Sequence, residues 1–334
     1  MKTKRDQPLK PWHTLKTDSE AEQVYVIENE QDLEDLAEKN LSSFYILGGG
    51  SNVLPVNEIE QPVLKNEIEG LEKIKEDNSD VTIKVKSGEN WHEFVEYSVE
   101  HGLGGVENLA LIPGTVGGAV IQNAGAYGME IKDSLESVQV FDLNEGEMYS
   151  LKKEECEFGY RDSIFKREEY KNLFIISATF NLEQNPKPNL DYSSLRRAIE
   201  DKNISNPTIE DTFTEVCKIR KNKLPDWRQT PTAGSFFKNP FIDKEKLKKL
   251  QENFPDMPYF NTNRGVKLSA GWLIEQIEDK LRPPEGVNTF ENHSLTIVNP
   301  GERPGQSVYE FSENLRNEVK KKFGIKLNRE VKIW

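Results

Sequence analysis

Arg220 occupies a position that its helical neighbours reserve for apolar side chains. In "DTFTEVCKIRKNK" the stripe is Phe213, Val216 and Cys217, and Arg220 lies seven, four and three residues after them. At 3.6 residues per turn that is the same face. Lys223 follows three residues later, whereas Lys218, Lys221 and Asn222 take the solvated side. A cation on a buried face needs a partner or an anionic ligand. Attraction between a helix C-terminus and cations explains why Lys and Arg gather there, but not why Arg220 faces inward.

Three further side chains could do chemistry. Ser235, in "AGSFFKNP", offers a hydroxyl, but the block is not the GxSxG elbow of hydrolases and no histidine is near it in sequence. An ordinary loop serine fits as well. Arg161, in "YRDS", reads by default as a turn with a local Arg161–Asp162 ion pair. Glu330, in "LNREVKIW", reads by default as a solvated carboxylate on a terminal strand.

Two segments are rich in glycine. Gly48, Gly49 and Gly50 precede Ser51 and Asn52 in "GGGSN"; Gly114, Gly117, Gly118, Gly125 and Gly128 crowd "LALIPGTVGGAVIQNAGAYGMEI". A dinucleotide loop of the Rossmann type runs from a strand through GxGxxG into a helix. Here "GGGSN" runs from "FYIL" towards more strand, so any phosphate is held by turn amides. Helices and strands rarely tolerate the glycine density of the second segment. It reads as a compact loop, or as backbone wrapped around a large flat or phosphorylated ligand.

These segments need elements to hold them. Val24 to Ile27 reads as a strand and "NEQDLEDLAEKN" as a helix capped by Asn29. "VLPV", "PVLKN", "LEKIKE" and "VTIKVKSG" alternate as strands. "ENWHEFVEYSVEHGLGG" predicts a helix that starts at an Asn90–Glu93 capping box, stops near Gly102, and presents Trp91, Phe94, Val95, Ser98 and Val99 on one face. "SVQVFDLNEGEMYSL" predicts a hairpin and "FIISATFNL" a strand, while "NPKPNLDY" is a loop. A helix begins near Asp211, and "PDWRQTPTAGSFFKNP" is a loop at a domain junction. "DKEKLKKLQENF", "SAGWLIEQIEDK" and "QSVYEFSENLRNEVKKKFG" predict helices, with "HSLTIVN" and "LNREVKIW" as strands.

Composition limits the partners. A net charge of -13 over 334 residues argues against nucleic acid and anionic membrane surfaces, so an anionic ligand needs a local basic pocket. No run approaches the ~20 apolar residues of a membrane span. The basic start, "MKTKRDQPLKPW", lacks the apolar core of a signal peptide. Cys156 and Cys217 form no CxxC, and His13, His92, His101 and His293 form no HExxH, so no bound metal is expected. The cysteine poverty fits a reducing cytoplasm.

Taken in order, "ILGGGSNVLP", "IPGTVGGAVIQNAGAYGMEI", "FGYRDSIFK", "RKNKLP", "AGSFFKNP", "VKLSAGWLIEQ" and "NREVKIW" resemble the UDP-N-acetylenolpyruvoylglucosamine reductase family over nearly the whole chain. The resemblance implies an α+β fold: a vanillyl-alcohol-oxidase-type FAD-binding module of two α+β subdomains, with an inserted α+β substrate-binding domain. On that pattern residues 1–70 form the first FAD subdomain, 71–215 with 316–334 the second, and 216–315 the insertion.

It also implies roles. Gly48, Gly49, Gly50, Ser51, Asn52, Pro113, Gly114, Thr115, Gly117, Gly118, Gln122, Asn123, Gly125, Ala126 and Tyr127 would approach FAD. NADPH would reduce the flavin, and the flavin would pass hydride to UDP-N-acetylglucosamine enolpyruvate, giving UDP-N-acetylmuramate for the cell wall, and so serving cell shape and division. Ser235 would donate the proton, while Arg161 and Glu330 would polarise the substrate carboxylate. Arg220, Lys223, Asn239 and Lys267 would lie near the substrate. Tyr192 matches the tyrosine loop that covers substrate in one form of the family. The chain departs at His293, where some relatives have glutamine, and in the few residues after Glu330. A cytoplasmic monomer is expected. A related flavin oxidase, or a flavin-binding protein without turnover, are the competing readings; Arg161, Ser235 and Glu330 in their own blocks argue against both.

Overall fold

Asn29 and Asn90 start their helices as their side chains dictate. Asn29 Oδ1 accepts the Asp32 N–H at 3.1 Å, and Asn90 Oδ1 accepts the N–H groups of His92 and Glu93 at 2.9 and 3.3 Å. The computed structural model describes residues 1–334 and divides into two compact units. Unit 1 comprises Met1–Gln7, Ala21–Gly50 and Glu60–Lys221; unit 2 comprises Pro8–Glu20, Ser51–Ile59 and Asn222–Trp334. No helix is long and apolar enough to cross a membrane.

Unit 1 is built on two sheets. In the first, Glu20–Ile27 and Tyr45–Leu47 run parallel on either side of Val63–Asn66, with Lys2–Pro8 at the edge. The second is a five-stranded antiparallel sheet in the order Glu147–Lys152, Leu135–Asp142, Leu173–Glu183, Asp80–Lys86, Leu71–Glu76. Its hairpin and the Leu173–Glu183 strand lie where the alternation of apolar residues puts them.

The helix Trp91–Glu100 covers this second sheet and buries the five residues its periodicity selects. Phe94 and Trp91 meet Phe180 with ring centroids 5.0 and 5.8 Å apart, and Trp91 Nε1 donates to the Leu109 carbonyl at 3.0 Å. Each such fully buried side chain contributes about 1.5–3 kcal/mol. The helix therefore also fixes the chain at Leu109, where the second glycine segment begins.

Unit 2 has a three-stranded antiparallel sheet of Thr232–Ser235, His293–Val298 and Asn288–Phe290, and a second of Phe241–Ile242, Gly265–Leu268 and Tyr259–Thr262. Helices Lys244–Gln251, Ala270–Glu275 and Gly305–Phe323 pack on a shared core that includes Phe236, Phe237, Leu273, Ile297, Phe311 and Leu315. The strand Lys332–Ile333 pairs parallel with Val53–Leu54. The division by contact thus keeps 222–334 together with short stretches from the first sixty residues, whereas the three-part expectation assigned 316–334 to the FAD module.

Three elements differ from expectation. The second glycine segment is not all loop: Val116–Gln122 is helical, with the Thr115 hydroxyl accepting the Gly118 N–H at 3.4 Å. Gly117 lets that helix touch the sheet, since a Cβ there would lie 2.9 Å from the Ser87 Cβ. Helix Ser193–Asp201 follows "NPKPNLDY" with no recognisable cap, and Thr232–Ser235 is a strand inside the stretch read as loop.

Candidate functional site

In unit 1 the two glycine segments pack on each other. A Cβ on Gly48 would stand 2.6 Å from Thr115 Oγ1, and one on Gly49 would stand 2.7 Å from the Gly114 Cα. Here the missing side chains serve first to let two backbones touch. The contact leaves a ledge of partly exposed backbone at Gly48, Gly49, Gly114 and Gly118. Such a ledge, with no side chains to clear, fits a flat cofactor carrying phosphates, which backbone N–H groups can reach.

The "YRDSIFK" block is laced to the same segment. Arg161, at φ 53°, donates to the Gly125 carbonyl and lies over the Tyr160 ring at 5.2 Å. Ser163 Oγ donates to Ile121 O at 2.7 Å; Lys166 Nζ donates to Gln122 Oε1 and, at 2.8 Å, to Arg161 O. Asn123 is fully buried. Its amide donates to Gly159 O at 2.9 Å and Glu130 Oε2 at 3.1 Å, and its Oδ1 accepts the Lys132 N–H. Both amide protons are spent inside the protein, which makes Asn123 a fastening between two turns. Pro113 is exposed and Ala126 half-buried, within the same segment.

Tyr127 and Tyr192 come together edge to face, with centroids 5.3 Å apart. Asn108, which the sequence did not single out, ties their loops: its amide donates to Tyr127 O at 2.7 Å and Asn189 O at 2.9 Å. Tyr192 is 43% exposed.

Arg220 points inward as its spacing requires. It sits on the helix Ile209–Lys223 and donates through Nη2 to Leu111 O at 3.2 Å, while its Nε is buried without a partner. Burial pulls its pKa below the ordinary arginine value. Lys223, at the end of the same helix, is exposed.

In unit 2 residues from three distant blocks meet. Phe236, next to Ser235, donates its N–H to Leu295 O at 2.9 Å and accepts the Glu330 N–H at 2.9 Å. Asn52 Nδ2 donates to Glu330 O at 3.3 Å, and Asn52 O accepts the Lys332 N–H at 3.0 Å. Ser51 and Asn52 are both half-buried here, as are Ser235 and Glu330. The neighbour of Glu330 is anchored: Arg329 donates to Ser312 Oγ at 2.9 and 3.0 Å, pairs with Glu313, and stacks on Tyr309 at 4.6 Å. Arg316, paired with the same Glu313, donates to Leu327 O at 3.0 Å.

Asn239 and Lys267 also share a locale. Asn239 Oδ1 accepts the Ala270 N–H at 2.9 Å, and Phe241 pairs with Lys267, whose Nζ lies 5.7 Å from the Phe260 ring centre. His293 Nδ1 lies 2.9 Å from Thr296 Oγ1, and Thr296 is the cross-strand partner of Ser235.

The chain matches two family models: "FAD binding domain" over residues 22–152 and "UDP-N-acetylenolpyruvoylglucosamine reductase, C-terminal domain" over residues 226–334. It is 36% identical over 328 residues to the reductase of that name from Flavobacterium johnsoniae, covering 97% of each chain. It is 40% identical over 329 residues to the one from Photorhabdus laumondii, covering 97% of this chain and 95% of the relative. The crystal structure of the reductase from Thermus caldophilus superposes with a TM-score of 0.71 at 25% identity, covering 100% of this chain and 99% of that one. Its mixed helix and sheet content and its FAD-binding module agree with the α+β expectation. At this identity over nearly its whole length, the chain belongs to the UDP-N-acetylenolpyruvoylglucosamine reductase family.

Proposed function

We propose that this FAD-dependent oxidoreductase reduces UDP-N-acetylglucosamine enolpyruvate to UDP-N-acetylmuramate, with NADPH as the electron donor. The observation that carries the reading is that Glu330 donates its N–H to Phe236, the neighbour of Ser235, and accepts the Asn52 side-chain amide at its carbonyl, although the three come from separate blocks. Bound FAD supplies the two-electron carrier that this chemistry needs. The glycine ledge and the Tyr127 segment hold that cofactor through backbone rather than side chains.

Ser235 hands its hydroxyl proton to the substrate carbon on which negative charge builds. A hydroxyl is a weak acid, so the step depends on fixed geometry, and the Phe236 pairings on both sides supply it. Arg161 and Glu330 polarise the substrate carboxylate. Arg220, Lys223, Lys267 and Asn239 receive the polar and anionic parts of the substrate, and Tyr192 covers it. The product serves peptidoglycan precursor synthesis, in the cytoplasm, on a monomeric enzyme.

NADPH consumption followed by absorbance, with and without the enolpyruvyl UDP-sugar, tests the assignment. Ser235→Ala is expected to let NADPH bleach the flavin but to stall its reoxidation by substrate. Turnover at the wild-type rate in that variant removes Ser235 from the mechanism.

A further inference from the structure

Four of the ten non-glycine residues at positive φ lie on the second glycine segment or on Arg161: Leu111 at 55°, Asn123 at 41°, Tyr127 at 47° and Arg161 at 53°. Left-handed backbone is costly for a side chain such as leucine and persists only where the surroundings enforce it. Asn123 and Arg161 are enforced by the contacts already described, and Tyr127 by Asn108.

Leu111 is enforced from both ends of its own residue. Its N–H donates to His92 Nδ1 at 3.2 Å, and its carbonyl accepts from Arg220 Nη2 at 3.2 Å. His92 is itself held: it occupies the first turn of the helix Trp91–Glu100, stacks on Phe213 at 5.8 Å, and sets Nε2 3.5 Å from Glu96. Leu111 is followed by Ile112, Pro113 and Gly114, and Gly114 is the residue on which Gly49 rests. The direction in which the chain leaves Leu111 therefore sets the ledge.

We propose that His92 is a positioning residue for the flavin ledge: its Nδ1 lone pair and the Arg220 guanidinium form a brace that holds Leu111 left-handed. The inference rests on the flavin reading of the ledge and extends it. The brace works only with neutral His92, because protonation removes the acceptor. Glu93 and Glu96 on its own helix, and Arg220 and Lys221 on the helix packed against it, face the ring. Burial and the two cations outweigh the carboxylates and hold its pKa below the ordinary histidine value. The ledge therefore loosens as pH falls below that ordinary range, not above it. Arg220, proposed above as a substrate-side cation, thereby also bears on the cofactor side through the one residue Leu111.

The test compares wild type with His92→Phe, which keeps a ring but no acceptor, and His92→Asn, which keeps an acceptor at similar reach. Two readouts are taken: FAD affinity by flavin fluorescence from pH 5 to 7, and amide hydrogen exchange at Leu111 in the cofactor-free protein. His92→Phe is expected to bind FAD about tenfold more weakly and to exchange Leu111 faster, the usual scale for one lost hydrogen bond. His92→Asn is expected to stay within about twofold of wild type and to lose the fall in affinity at low pH. If His92→Phe retains both affinity and protection, or if His92→Asn is as impaired as His92→Phe, the brace is overturned. If His92→Phe does not fold, the pH profile of His92→Asn decides: one that still falls with acid as in wild type overturns it. A wild-type chain that protects Leu111 but takes up no flavin refutes the flavin reading and leaves the brace standing.

Discussion

The glycine ledge of unit 1 and the Ser235–Glu330 neighbourhood of unit 2 are built by opposite means. The ledge is made by leaving atoms out: Gly48 and Gly49 rest on Thr115 and Gly114, and strained backbone at Leu111, Asn123 and Tyr127 is held by side chains behind it. The Ser235 neighbourhood is made by register: ordinary strand pairing carries residues from distant blocks to the two sides of Phe236. The first should fail when atoms are added, and the second when functional atoms are removed from an intact frame.

The largest effect is expected in the second region. Glu330→Gln keeps the backbone bond to Phe236 and should lower kcat by about 10²–10³ while flavin content and Tm stay as in wild type. A parallel loss of flavin would show that the carboxylate also holds the ledge and would blur the contrast.

Acid should come next. His13 is 3% exposed, donates through Nε2 to Thr17 O at 3.2 Å, and leaves Nδ1 buried without a partner. Burial, aided by Lys10, lowers its pKa from 6.5 to about 4. The unfolded chain thus binds the proton more readily between those values, so stability is full above about pH 6.5 and falls as pH drops to about 4. The loss approaches about 3 kcal/mol at ~1.4 kcal/mol per pKa unit. Denaturant melts of wild type and His13→Gln across this range should differ in slope; identical slopes would acquit His13.

The smallest effect is expected from Gly49→Ala. Its added methyl meets the Gly114 backbone, and overpacking of this kind costs about 1–3 kcal/mol. Flavin affinity should drop with the Tm, whereas the kcat of the flavin-loaded fraction should hold. Unchanged affinity would mean that the ledge is not where FAD sits.

The sequence revealed those parts whose signals are local. The buried face of Trp91–Glu100, the caps at Asn29 and Asn90, the hairpin from Leu135 to Lys152 and the inward Arg220 all follow from periodicity or turn chemistry within a few residues. The supports of the site were not legible. His92, Asn108, Ser163 and Lys166 are common residue types, and most of their partners are backbone carbonyls or amides remote in sequence. The helix Val116–Gln122 was hidden for another reason: its glycines violate helix propensity but are needed where Gly117 meets Ser87. Ser193–Asp201 lacks a capping side chain, so nothing announced its start.

Arg329 has a consequence for how inhibitors of this enzyme would be escaped. It binds Ser312 and Glu313 on the long helix Gly305–Phe323, and it adjoins Glu330. If Glu330 has the role proposed for it, a substitution at Ser312 or Glu313 is expected to shift its backbone through Arg329 without changing Glu330 itself. Resistance screens should read through positions 305–323 as well as the contact residues.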